Sequence, residues 1–245
     1  MSTLIRARSE RYKRSEEKVS KVIQFLKQEV YSDFQTLLAL LNYKHRQPLY
    51  LLLSKMVSLG YLTKHEFKFP TGKMSLWGIT QLGLSQEIGD IEGDLQAFEP
   101  HKVKFVTLNH RLMNQRARIY LERQGWTHWH NGDRFSFRKK YPLEHRPDAV
   151  MVTPKGHTIA LETERTIKPV ARYRSILKSH ITAKQKKFWS AVFYIVPDEK
   201  VRELLSIQFD KIEYIAFDEA KYDFAPYREK LVRIFTLDEL PYLTV

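Results

Sequence analysis

From Asp148 to Glu164 the chain reads DAVMVTPKGHTIALETE, two apolar runs of strand length separated by a Pro-Lys-Gly turn. Short β-branched runs bounded by Pro and Gly form a hairpin. Both runs carry carboxylates. Asp148 opens the first, and Glu162 and Glu164 close the second. Residues i and i+2 of a strand share a face, so Glu162 and Glu164 point one way and Thr163 the other. Pro147 pushes Arg146 into an extended conformation. With the turn near Pro154 to His157, Asp148 lies alongside Glu162 and the three carboxylates converge at one sheet end. Unpaired, they repel and raise one another's pKa. The bland resolution is ion pairing with Arg165, Lys168 or Arg174. The sharper one is a divalent cation, and oxygen ligands of this kind suit Mg²⁺ or Mn²⁺. The combination of Pro-Asp, a hairpin-length gap and Glu-x-Glu favours the metal.

The elements around this hairpin read as α/β. A basic helix runs from about Val103 to Gln124, with Arg111, Arg116 and Arg118 among its cations. WTHWH and RFSFRK both alternate and read as strands. A helix over 169–188, a buried strand SAVFYIVP, a short helix DEKVRELLS and a strand IEYIAF follow. That order predicts a mixed sheet covered by helices.

The first hundred residues differ. Val19, Val22, Ile23, Leu26 and Val30 recur at helical spacing. DFQTLLALLN makes a second helix, with Asp33 or Ser32 as its N-cap. PLYLLLSKMVSLG makes a third, opened by Pro48 and stopped at Gly60. Two strand-like runs then flank a Pro-Thr-Gly-Lys turn. Helix, helix, turn, helix and hairpin describe a winged helix-turn-helix domain. Its third helix is the groove reader, entered by Lys44, His45, Arg46, Gln47 and Tyr50, with Lys68 and Lys73 on the wing. Residues 83–100 are acidic and hold three of the nine glycines, which reads as a linker or a loosely packed helix. The expected domains are therefore 1–98 and 99–245.

Charge separates the segments. Residues 101–190 hold 20 Lys/Arg against 6 Asp/Glu, a net of +14 in a chain whose total is +13. A polyanion such as nucleic acid is the simplest partner for that field. On the helix over 169–188, Arg172, Arg174, Lys178, Lys186 and Lys187 are candidate phosphate contacts, and Tyr173 either packs beneath or stacks on a base. The chain has no cysteine, which excludes disulfides, thiolate zinc sites and cysteine nucleophiles. No run approaches the ~18 apolar residues of a membrane span, and no P-loop, dinucleotide turn or serine elbow is present.

A rival constellation is His128-Trp129-His130, whose imidazoles would share a strand face and bind one cation. It matches the metal motif of nicking enzymes with a tyrosine nucleophile, for which Tyr12 and Tyr31 are candidates. His110 and Glu122 on the basic helix are weaker additions to the carboxylate site.

Pro147-Asp148 and Glu162-Thr163-Glu164 together resemble the signature of the PD-(D/E)XK nuclease superfamily, the restriction-endonuclease-like fold. Glu164 stands where that signature has lysine. In some relatives the lysine migrates to the following helix, and Lys168 or Lys178 is the counterpart here. The order of the winged helix, LNHRLMNQRARIYL, RPDAVMV, ALETERT and RYRSILKSHI is similar to the plasmid replication-relaxation family, and within it to the MobC-class relaxases of mobilisable plasmids. The resemblance implies a bacterial cytoplasmic enzyme. It would nick one strand of double-stranded DNA at a plasmid transfer origin, with an accessory mobilisation protein, and it leaves a homodimer open. Asp148, Glu162 and Glu164 would be its metal or catalytic carboxylates and Lys178 a helper. The alternative is a plasmid DNA-binding protein without catalysis, as a relaxosome accessory or a regulator.

Overall fold

The computed structural model describes residues 3–86, 95–218 and 220–243. It is a mixed α/β structure whose main sheet has five strands. By its internal contacts the chain divides into two compact units, Met1–Leu108 and Asn109–Val245. The acidic segment expected as a linker lies partly outside the described residues, at 87–94. Among the described residues no helix is long and apolar enough to cross a membrane.

The first unit opens with helices α1 (Thr3–Glu29), α2 (Phe34–Leu40) and α3 (Arg46–Ser58), and strand β1 (Tyr31–Asp33) joins the first two. The side chain of Asp33 caps α2 by accepting from the Thr36 amide at 2.8 Å, satisfying one of the orphan donors at a helix start. Helix α3 begins two residues before Pro48. A proline is tolerated there because first-turn amides have no intrahelical acceptor. Gly60, at φ +77°, takes the left-handed turn that ends α3. Strands β2 (Leu62–Phe69) and β3 (Gly72–Ile79) form the expected hairpin. β1 pairs with β3, so the sheet runs β1-β3-β2, antiparallel throughout. Val22, Ile23, Leu26, Leu37, Leu49, Leu53, Met56, Leu76 and Ile79 are buried here. Each large side chain taken fully from water contributes about 1.5–3 kcal/mol. The short helix α4 (Gln81–Leu84) follows.

The second unit is organised by the five-stranded sheet and carries a separate two-stranded one, in which the expected strand IEYIAF lies. α5 (Phe105–Arg123) leads into β4 (Thr127–Asn131), α6 (Phe135–Lys140), β5 (Ala149–Val152) and β6 (Thr158–Thr163). These are followed by α7 (Val170–Gln185), β7 (Ala191–Val196), α8 (Glu199–Asp210), β8 (Tyr214–Phe217), β9 (Ala220–Asp223), α9 (Ala225–Leu231) and β10 (Val232–Thr236). The order across the sheet is β10-β7-β6-β5-β4. β4-β5-β6 is an antiparallel meander, and β6, β7 and β10 are parallel. Alternation divides the core cleanly. Ala149, Met151, Ile159, Leu161, Phe193 and Ile195 pack with Met113, Ala117 and Leu121 of α5. Val150, Ala160, Val192 and Tyr194 pack with Tyr173, Ile176 and Leu177 of α7 and with Leu205 and Phe209 of α8.

One expected strand is a helix. RFSFRK alternates, but a strand would bury Phe135 and Phe137 on one face. Phe137 is buried and Phe135 is 80% exposed, and the segment forms α6. Arg138, Lys139 and Lys140 fall in its last turn, where cations offset the negative end of the helix dipole. The last strand, β10, had no expectation attached to it.

Candidate functional site

The carboxylates of the hairpin lie where β5 begins and β6 ends. Asp148 precedes β5 and is held there by backbone contacts. Its carbonyl accepts from the Gly132 amide at 2.8 Å. A Cβ on Gly132 would lie 1.9 Å from the Pro147 carbonyl oxygen, so glycine alone permits this approach. The carboxylate is gripped as well. Oδ2 accepts from the Thr163 amide at 2.6 Å, and Oδ1 lies 2.9 Å from His110 Nε2 on α5.

Both partners of this last pair move up in pKa. Burial raises Asp148, against the pull of His110, and the charge of Glu162 adds to the rise. Burial works to lower His110, but its bond to Asp148 and that carboxylate's charge outweigh it. The pair therefore holds a proton more firmly than either group does alone.

Glu162, near the end of β6, faces α7. Its Oε1 lies 2.6 Å from His145 Nε2 and 3.0 Å from His180 Nε2. Burial works to raise this carboxyl, but the two imidazole bonds overcome it and hold the pKa at about 2. His180 is wholly buried, and burial keeps its own pKa low. Both imidazole contacts of Glu162 fall on Oε1. Thr163 points the opposite way, its hydroxyl reaching Asn114 of α5 at 3.3 Å.

Glu164 continues the parallel pairing past β6, its amide donating to the Ile195 carbonyl at 2.9 Å. Its carboxylate pairs with Lys168 and is hydrogen-bonded by the Tyr173 hydroxyl. Burial nonetheless leaves its pKa raised, outweighing the ammonium. Of the three cations weighed as partners, Lys168 takes that place. Arg165 is exposed, and Arg174 lies over the Tyr214 ring at 4.7 Å.

The three carboxylates sense one another's charge, since Glu162 raises both Asp148 and Glu164. They do not form one tight oxygen cluster. Among the described residues, the group of three whose candidate ligand atoms all lie within 4.8 Å of one another is His145, Glu162 and His180. Lys178 does not join them. It stands two turns beyond the start of α7 on the flank facing β8, with Nζ 5.4 Å from the Phe217 ring. Tyr173 packs beneath the site, fully buried, and its hydroxyl accepts the Lys168 amide at 3.0 Å.

His128 and His130 do not share a strand face. The register of β4 slips between Thr127 and His130, and His128 adopts φ +57°. That extra residue is a β-bulge, which re-aims the side chains on either side of it. His128 Nδ1 meets Thr127 Oγ1 at 2.8 Å, while His130 meets Ser136 Oγ at 3.1 Å and packs on Phe137. Glu122 is taken by Arg118 at 2.7 Å. Tyr12 is exposed on α1 and Tyr31 is buried against Phe98.

The cations expected at a polyanion fall in two settings. In the first unit, Arg46, Gln47, Tyr50 and Lys73 line one groove of about 620 Å³, together with Phe34 and Trp77. Lys44 and His45 are exposed just before α3, and Lys68 faces Lys73 across the hairpin. Arg46 stacks over Phe34 at 4.7 Å, and Lys73 pairs with Glu66 at 3.0 Å. In the second unit, Arg111 and Arg116 are half-buried on α5, and Arg172, Lys186 and Lys187 are exposed on or beside α7.

His145 and His180 escaped sequence reasoning. His180 carried a signal, because it falls on the same helical stripe as Tyr173, Ile176 and Leu177. A histidine on an apolar stripe has to meet a polar partner inside. His145 carried none, since its loop has no periodicity.

Comparison with protein-family models, with curated proteins and with solved structures finds no match to this chain.

Proposed function

We propose that the chain is a metal-dependent DNA endonuclease of the relaxase kind, which nicks one strand at a plasmid transfer origin. The carrying observation is the gathering of Asp148, Glu162, Glu164 and Lys168 at one end of the five-stranded sheet. An antiparallel meander, then a helix, then a parallel strand is the order expected of a restriction-endonuclease-like core. The three helices and hairpin of the first unit follow the order expected of a winged helix.

The donor set fits a hard divalent cation. Asp148 and Glu162 present carboxylate oxygens where adjacent strands meet, and both imidazole contacts of Glu162 fall on Oε1 rather than Oε2. A dication beside Asp148 would take over from His110 the part of offsetting that carboxylate's charge. Mg²⁺ or Mn²⁺ held by Asp148 and Glu162 would polarise a phosphoryl oxygen and lower the pKa of a bound water.

The chain's own residues do the rest. The Thr163 amide and His110 fix the Asp148 carboxylate. His145 and His180 keep Glu162 ionised and aimed. Lys168 takes the lysine role from the loop before α7, bringing a positive charge to a developing phosphoryl anion, with Glu164 as its anchor. The net +14 of residues 101–190 favours a phosphodiester over a neutral ligand for this part of the chain.

Relaxation of supercoiled plasmid in Mg²⁺ or Mn²⁺ tests the reading. The expected product is an open circle whose 5′ end is free of protein. DNA binding without relaxation would assign the chain to non-catalytic DNA-binding proteins. A protein-linked 5′ end would instead support the tyrosine mechanism.

A further inference from the structure

Three segments far apart in sequence deliver one ligand set. His145 comes from the loop before β5, Glu162 from β6 and His180 from the inner face of α7. The two Nε2 atoms lie 2.6 and 3.0 Å from the same carboxylate oxygen. Around a divalent ion with bonds of about 2.1 Å, neighbouring donors stand roughly 3 Å apart. The convergence is built in from outside the carboxylate. The His145 amide donates to Ser179 Oγ at 3.1 Å, which ties the His145 loop to the residue preceding His180. The two imidazoles would therefore stay neighbours without Glu162.

A second observation points to an occupant. Around the His180 ring, three buried polar atoms lack any partner: its own Nδ1, Trp189 Nε1 and Tyr194 Oη. Buried polar atoms are nearly always satisfied, so the interior around this ring has room in its hydrogen bonding for water; His180 Nδ1 is the ring nitrogen left over when Nε2 serves the ligand set. His145 leaves an entrance, since its side chain is 19% exposed while that of His180 is 1% exposed.

We propose that His145, Glu162 and His180 form a transition-metal site, selective for Zn²⁺, Fe²⁺ or Co²⁺ over Mg²⁺. Imidazole nitrogen favours these ions and gives Mg²⁺ little. Two histidines and one carboxylate leave coordination positions open, the pattern of sites that bind a further ligand. The site shares Glu162 with the proposed nicking centre but does not depend on it, and it stands whether or not the chain cleaves DNA.

Co²⁺ added to the metal-free full-length chain reports the site directly, by visible d–d absorption and by calorimetry. One Co²⁺ per chain is expected, with a band that survives a large excess of Mg²⁺ and is displaced by Zn²⁺. His145→Gln and His180→Gln should each weaken binding by about 100-fold, and Asp148→Asn should leave the band unchanged. His145→Gln is the deciding variant if the buried His180→Gln does not fold, as judged by far-UV circular dichroism. Absence of the band overturns the proposal. So does a band kept by His145→Gln, or one lost in Asp148→Asn while His145→Gln retains it. Failure of plasmid relaxation alone would leave this site intact and remove only the nicking reading.

Discussion

The groove of the first unit and the sheet end of the second both concentrate polar groups, under opposite constraints. In the groove, Arg46, Gln47, Tyr50 and Lys73 are exposed, and the charges of Arg46 and Lys73 stay at the surface. Such groups cost little to maintain, and each contributes little to folding. At the sheet end, Glu162 and Glu164 are buried and Asp148 is half-buried, and each is met by a hydrogen-bonding base or cation. A buried unpaired charge costs several kcal/mol, so these partners are a condition of folding as much as of chemistry. On the function proposed here, the first region would hold an anion and the second would act on one.

Substitutions can break this contrast, and the largest effects belong to the sheet end. Asp148→Ala or Glu162→Ala should lower nicking by about 10³-fold or more, because each removes a metal-binding oxygen. Single-turnover cleavage of a labelled duplex measures it.

Next comes acid stability of the metal-free chain. Glu162 is held at about 2 in the fold against an ordinary value of 4.5. Its contribution is thus present above the unfolded value and lost as pH falls from about 4.5 to about 2. The integrated loss is on the order of 3 kcal/mol. Urea unfolding at steps across that window should show the loss, and Glu162→Gln should flatten the profile.

Lys168→Ala should lower kcat by about 10²-fold, and Lys168→Arg should recover part of it. Lys178→Ala should cost much less, because Lys178 rests on the Phe217 ring. In the groove, Arg46→Ala with Lys73→Ala should weaken DNA binding by about 10-fold at moderate salt. The same pair should reduce the salt slope by about 0.9 for each phosphate that is no longer neutralised. The maximal rate at saturating DNA should not change. A kcat effect as large as that of Lys168→Ala would erase the distinction between the two regions.

Periodicity made part of this molecule legible. The Asp148–Glu164 hairpin, the Asp33 cap of α2, the stop of α3 at Gly60 and the alternation that turns Glu162 and Thr163 to opposite faces all follow from local pattern. Local pattern failed at RFSFRK, where a six-residue alternation fits a strand and a short amphipathic helix equally. It failed again at His128-Trp129-His130, because a bulge is invisible in the spacing of residues. The partners of the carboxylates were harder still. His110, His145 and His180 reach Asp148 and Glu162 across 38, 17 and 18 residues, and such meetings depend on packing. The charge partner of Glu164, four residues away, was within reach of local reasoning.

The most direct measurement sets binding against cleavage in one variant. Asp148→Ala should bind supercoiled plasmid as tightly as the unaltered chain, in the same salt and with Mn²⁺ present, yet leave it supercoiled. Nicking by Asp148→Ala at the unaltered rate would contradict the assignment of the sheet end as the cutting site.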